Sequence, residues 1–271
     1  MPRLISRETS AGESCSPGAG RLSDVAGLVH RHDHDRFQTA LFAPAERREA
    51  LFALYAFNYE IARVRETVSE PVLGQIRLQW WRESIAAAFE GGQVRHHIVV
   101  EPLTAAIRAH GLTRAHFDRL IDARVGDLEE TSLDRLDDLE GYAEATSARL
   151  VYLALESLGV RDPAAERAGF HTGIAYALAG LLRAMPYRAC IGRAPVPAEI
   201  AAAASRHLAS ARALRGSIAR SALPALLPAI IAERSLARLK RAGYDPFHPA
   251  LAVPDQMQSW RLAIASLRNR F

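Results

Sequence analysis

The chain contains no long hydrophobic run. Its nearest candidate, Leu223 to Ala232, is short and interrupted by Pro224 and Pro228. A bilayer-spanning helix needs roughly 18 apolar residues, so none is expected. Cysteine is scarce. Cys15 and Cys190 make neither a disulfide framework nor a zinc spacing, which fits a reducing compartment. No stretch alternates apolar and polar residues over a useful strand length, so β architectures are excluded and an all-α fold is expected. There is no internal repeat and no glycine-rich phosphate loop. No basic block is dense enough to indicate nucleic acid. The N-terminus lacks the apolar segment of a secretory signal. Arg3, Ser6, Arg7 and Thr9 hint at a transit peptide, but Glu8 and Glu13 argue against one, and the bacterial cytoplasm is the expected location.

What is present suits a helical protein. The 271 residues are 49% hydrophobic, with Ala and Leu dominant, and 24% charged. A chain of that length buries one sizeable core. Net charge is +4 and the isoelectric point about 9.4, a mild bias toward anionic partners such as lipid headgroups or diphosphates. Residues 1–20, rich in Ser, Gly, Pro and charge, are expected to be disordered, and 21–271 to form a single helical domain. The alternation His30-Arg31-His32-Asp33-His34-Asp35 reads as a solvated loop, with a metal site as the alternative. Pro44 suits the start of a long helix, Gly91-Gly92 ends the next one, and Gly111 ends a helix over 102–110. The acidic stretch Asp127, Glu129, Glu130, Asp134, Asp137, Asp138, Glu140 is spaced irregularly. It reads as a solvated loop and a helix start, where carboxylates suit the dipole. One helix is expected from near Asp137 to Leu158, and another from Asp162-Pro163 to before Pro186. The last helix carries Met257, Trp260, Ile264, Leu267 and Phe271 in one stripe. That stripe either packs on the bundle or docks on an anionic membrane surface. One ring of Trp80-Trp81 is expected in the core.

The most informative stretch runs from Ala50 to Arg82. Ala50, Ala53, Leu54, Phe57, Ile61, Val64 and Val68 share one helical face, and a neighbouring face carries Tyr55, Asn58, Tyr59, Ala62 and Glu66. Positions 62 and 66 lie one turn apart and are expected to point the same way. A Ser-Glu-Pro corner then leads to a second helix. The run Leu54-Tyr55-Ala56-Phe57, followed by Asn58-Tyr59, Ala62-Arg63 and Glu66, resembles the first aspartate-rich signature of the squalene/phytoene synthase family. The stretch from Gly173 to Pro197 resembles the second signature without a gap. The shared positions are Gly173, Ala175, Leu178, Leu182, Arg183, Gly192, Arg193 and Pro197. The resemblance covers about residues 35–200. It implies an isoprenoid-synthase helical bundle, and in active members a magnesium-dependent ionisation of prenyl diphosphates.

The residues that perform that chemistry in the family are replaced. Ala62-Arg63 stand for two aspartates, Ala177 for Gln, Gly180 for Asn, Ala184 for Asp, Tyr187 for Glu and Arg188 for Asp, while Glu66 alone clearly retains an acid. Magnesium wants hard oxygen ligands. A cation at about 5 Å costs it several kcal/mol even at an effective dielectric near 20. No metal is therefore expected. Gly173, Ala177, Gly180 and Ala184 form a small-residue stripe. Either helices close in along it, or an apolar cavity persists there and holds a lipid tail, with Ala62 also lining it. Tyr55, Asn58, Tyr59, Arg63, Arg65, Arg183, Arg188 and Arg193 are the candidate ligand contacts, the arginines for a headgroup.

A closer resemblance is to the respiratory complex I assembly-factor branch of this superfamily. It rests on Ala56 to Glu70, Gly74 to Trp81, Leu182 to Tyr187, and the Asp245-Pro-Phe-His-Pro249 turn. That branch implies a protein aiding assembly of NADH:ubiquinone oxidoreductase at the inner membrane, with complex I subunits or assembly intermediates as partners and lipid or isoprenoid bound without turnover. The alternative is a divergent magnesium-dependent prenyltransferase joining two prenyl diphosphates head to head.

Overall fold

The structure, a computed structural model, describes residues 22–129, 134–187 and 196–271. The segment 1–20 and the positions Cys15, Glu130, Arg188, Cys190, Gly192 and Arg193 lie outside the described residues. Among the described residues all regular elements are helical. They comprise α1 (Asp24–His32), α2 (His34–Ala40), α3 (Ala45–Ala62), α4 (Val64–Thr67), α5 (Pro71–Glu90), α6 (Val100–His110), α7 (Arg114–Leu128), α8 (Leu136–Ala143) and α9 (Arg149–Ser157). There follow α10 (Pro163–Ala184), α11 (Pro197–Ala213), α12 (Leu223–Leu226), α13 (Pro228–Arg241) and α14 (Gln258–Leu267).

Local chemistry sets most boundaries. Pro71, Pro163 and Pro197 each occupy a first turn, where the missing N–H costs nothing. The Asp162 carboxylate accepts from the Ala165 amide at 2.8 Å. Gly91 and Gly111 end their helices in the left-handed region, at φ 75° and 57°. Helix α3 is buried on every side from Ala50 to Asn58, which places it at the centre of the bundle. It packs against α1, α6 and α9, while α10 packs against α11, α13 and α9. Phe57 of α3 meets Trp81 and Phe117 edge-on, with ring centroids 5.4 and 5.5 Å away. Trp81 is thus the ring in the core, and Trp80 lies half-buried beneath the Arg95 guanidinium.

One expectation needs correction and one open alternative is narrowed. The helix toward Leu158 is not uniform, because a π-helical turn, Glu144–Ala148, joins α8 to α9. Gly173 of α10 meets that turn so closely that a Cβ there would lie 2.5 Å from the Ala148 Cα. In α14, the stripe of Met257, Trp260, Ile264 and Leu267 is exposed, and Leu262 and Ala265 face the core instead, with Phe271 the one stripe residue buried. The cause is polar. Gln258 donates to Asp35 (2.8 Å) and Gln38 (2.9 Å), and Gln38 donates to the Ser259 hydroxyl (2.8 Å). These bonds turn the 258–259–262–265 face inward.

Candidate functional site

Residues at the end of α1 and in α2 bridge the two motif halves. Asp33 ends α1 and caps α2, accepting from the Arg36 amide at 3.2 Å. Its other oxygen takes the Arg36 guanidinium at 2.6 Å, in a pair whose side chains are 14% and 15% exposed. That guanidinium lies over the Tyr176 ring of α10 at 4.8 Å and near the Tyr55 ring of α3 at 5.9 Å. Burial works against the charge on Arg36, but the Asp33 carboxylate more than offsets it and holds the pKa above its ordinary value. Burial raises the phenol pKa of both Tyr55 and Tyr176, so neither is poised to give up a proton near neutrality.

Beside this pair, Asp35 accepts from Arg183 at 2.9 Å, from the Tyr176 hydroxyl at 3.2 Å and from Gln258 at 2.8 Å. Burial raises the Asp35 pKa, yet the Arg183 charge and these hydrogen bonds overcome it and hold the carboxyl below its ordinary value. The alternating His/Asp stretch is therefore no solvated loop. Its aspartates and Arg36 fill the junction between α3 and α10, and the pairing is invisible to local pattern because its partners lie 141 and 223 positions away. No group of three His, Cys, Asp or Glu side chains is placed to hold a metal ion among the described residues.

The remaining candidates divide into two places. Tyr59 is half-buried; its ring stacks on His32 at 4.4 Å, and the Arg63 guanidinium lies 5.3 Å from it. Arg63 also reaches Glu60 at 3.5 Å. Asn58 is buried and Ala62 half-buried in the same last turns of α3. A turn at Arg63 separates α3 from α4, and the Glu66 amide bonds to the Arg63 carbonyl at 3.0 Å. Beyond it, Arg65 and Glu66 are exposed, so Glu66 does not share the half-buried setting of Ala62. On α10, Gly173 is closed against the π turn, whereas Ala177, Gly180 and Ala184 are half-buried, and a Cβ at Gly180 would meet only Arg183, at 3.9 Å. The stripe is packed at one end and open at the other. Its Arg183 is already engaged by Asp35, with 43% of its side chain exposed.

Among the described residues, the magnesium implied by the family resemblance finds no donor set at the motif positions. Ala62, Arg63 and Ala184 offer no side-chain oxygen, and Glu66 is exposed past the turn. The acidic stretch behaves as expected at Asp134, Asp137 and Asp138, which are exposed. Asp127 instead accepts from Arg124 (3.2 Å) and Tyr142 (2.9 Å), and Glu140 lies 3.5 Å from His207.

Comparison with known proteins gives a consistent picture. Residues 29–205 match the family model described as squalene/phytoene synthase. The chain is 30% identical to NADH dehydrogenase (ubiquinone) complex I, assembly factor 6, of Bos taurus, over 99% of this chain and 90% of that protein. It is 25% identical to presqualene diphosphate synthase of Rhodopseudomonas palustris, over 73% of this chain and 69% of that one. The squalene synthase HpnC of Alicyclobacillus acidocaldarius superposes with a TM-score of 0.72 at 21% identity, over 82% of this chain and 94% of that one.

Proposed function

This chain belongs to the squalene/phytoene synthase family, and from that membership we propose that it aids assembly of respiratory complex I without catalysing prenyl transfer. Similarity to the assembly factors over nearly the whole chain supports the assembly role. The observation that carries the non-catalytic part is the filling of the motif junction. Where diphosphate chemistry needs ions held by carboxylates, Arg36 is locked to Asp33 between Tyr55 and Tyr176, and Asp35 neutralises Arg183. Both carboxylates there are already paired with arginines, so neither is free to hold an ion for a diphosphate carrying about three negative charges.

A second component concerns lipid. The small, half-buried residues Ala177, Gly180 and Ala184 suit an acyl or isoprenoid tail laid along them, and Arg63 beside Tyr59 suits a headgroup. Native mass spectrometry of the purified protein, before and after lipid extraction, tests this. Protein that carries no lipid and takes up none when offered contradicts it.

Deleting the gene and measuring NADH:quinone activity with native gels of the membranes tests the assembly role. Loss of mature complex I with accumulation of intermediates is expected. Normal levels would refute the role. The prenyltransferase alternative draws on the likeness to presqualene diphosphate synthase. It requires magnesium-dependent turnover of farnesyl diphosphate that Glu66→Gln abolishes.

A further inference from the structure

We propose that the outward face of α14 is a docking surface for an anionic phospholipid bilayer. The inference deepens the assembly reading by assigning the part of the molecule that meets lipid, and its test does not involve complex I. Met257, Trp260, Ile264 and Leu267 recur at steps of three and four, forming one stripe. They are 53%, 65%, 46% and 77% exposed. The opposite face is fixed to the bundle by Leu262, Ala265 and the Gln258 and Ser259 hydrogen bonds, so the stripe cannot roll inward to hide. Leaving a Trp and a Leu this exposed on a helix that has a second apolar face to bury is costly unless something covers them.

Charge identifies the cover. Arg268 and Arg270 are exposed beside the stripe, Arg261 is exposed there too and lies 3.5 Å from Asp255, and no acidic side chain occurs from residue 256 to 271. From residue 234 onward the chain carries seven Lys or Arg against two Asp or Glu, an excess larger than the net charge of the whole protein. An apolar stripe bordered by arginines, with an indole at its centre, suits the boundary between anionic headgroups and acyl chains. A second copy does not fit, since a two-fold contact would set the same arginines against each other. The helix lies in the plane of the surface. No helix among the described residues is long and apolar enough to cross a membrane.

Flotation of the full chain with phosphatidylcholine vesicles, with and without phosphatidylglycerol, tests the assignment. Binding is expected only where phosphatidylglycerol is present, and it weakens as salt is raised. Leu267→Ser weakens it about ten-fold, the loss expected when a leucine side chain no longer leaves water. Arg268→Gln with Arg270→Gln weakens it by a similar factor or more. The blue shift of tryptophan emission on binding disappears in Trp260→Phe. All these positions are exposed, and unchanged far-ultraviolet circular dichroism and melting temperature confirm that each variant folds. The assignment is overturned if the protein ignores phosphatidylglycerol vesicles, if it binds neutral vesicles equally well, or if the variants bind like the parent. It is overturned equally if the parent is a dimer that Leu267→Ser converts to monomer. Normal vesicle binding in a protein dispensable for complex I would sink the assembly role alone.

Discussion

Replacing Gly173 with alanine probes the closest approach in the bundle. An added Cβ would sit 2.5 Å from the Ala148 Cα, 2.6 Å from its nitrogen and 2.9 Å from the Ser147 carbonyl carbon. Ordinary contacts begin near 3.4 Å, so α10 and the π turn must part by about 1 Å. All three obstructing atoms are backbone, and no rotamer change relieves them. Overpacking of this kind costs about 1–3 kcal/mol, with backbone clashes toward the upper end. Alanine recovers about 1 kcal/mol of helix propensity. The net loss is about 2 kcal/mol, or a fall of about 4–8 °C in Tm at this chain length. Gly180→Ala, two turns on along the same helix, is the control. Its Cβ would meet only the Arg183 guanidinium at 3.9 Å, so the propensity gain stands alone and Tm rises by about 2–4 °C. Thermal melts by circular dichroism measure both. A Gly173→Ala protein as stable as the parent, or a Gly180→Ala protein destabilised to the same degree, would refute the claim that the small-residue stripe is closed at one end and open at the other.

Arg36→Met leaves Asp33 without its partner in a partly buried site, and urea titration should find a loss of about 3 kcal/mol, as for a broken buried pair. Asp35 is held below its ordinary pKa, so its contribution is full above the unfolded value near 4 and is lost as pH falls through the folded value. Asp35→Asn should therefore cost about 1–2 kcal/mol at pH 7, with the gap to the parent narrowing only below about pH 4. The His171 and His207 rings lie 2.9 Å apart, and burial first, then charge repulsion between the two rings, lowers the pKa of His171, while burial outweighs the raising effect of Glu140 at His207. Their neutral forms are favoured in the fold, so stability should decline as pH drops below about 6.5, and His171→Asn should flatten that decline in pH-dependent melts. A decline of equal slope in the variant would contradict the assignment.

Much of the bundle was legible because its punctuation is local. Pro71, Pro163, Gly91 and Gly111 act through their own backbone, and the structure places helix ends within a residue or two of them. The π turn at Glu144–Ala148 was not legible, since E-A-T-S-A contains no breaker and the widened turn accompanies the approach of Gly173 from another helix. The turn at Arg63 likewise has no glycine or proline to announce it. Helix α14 has two apolar faces. Periodicity alone favours the heavier one as the buried one, and only the pairing of Gln258 and Ser259 with residues near 35–38 decides otherwise. The candidate site divides in the same way. The aligned positions Tyr55, Tyr59 and Arg183 were identifiable from motif frame, but what Arg183 and Tyr55 contact was not, because Asp33, Asp35 and Arg36 sit in a stretch whose alternation resembles a polar loop. An unbroken H-R-H-D-H-D-R followed directly by the buried Phe37 was the one available signal that these charges enter the bundle.

The central claim is that the scaffold works without diphosphate chemistry. Its most direct test is complementation of the deletion strain with the parent gene and with Glu66→Gln, expressed at matched levels, reading NADH:quinone oxidoreductase activity. Full restoration by both is predicted, since Glu66 faces solvent beyond the Arg63 turn. Restoration by the parent and failure of a folded Glu66→Gln protein would contradict the account.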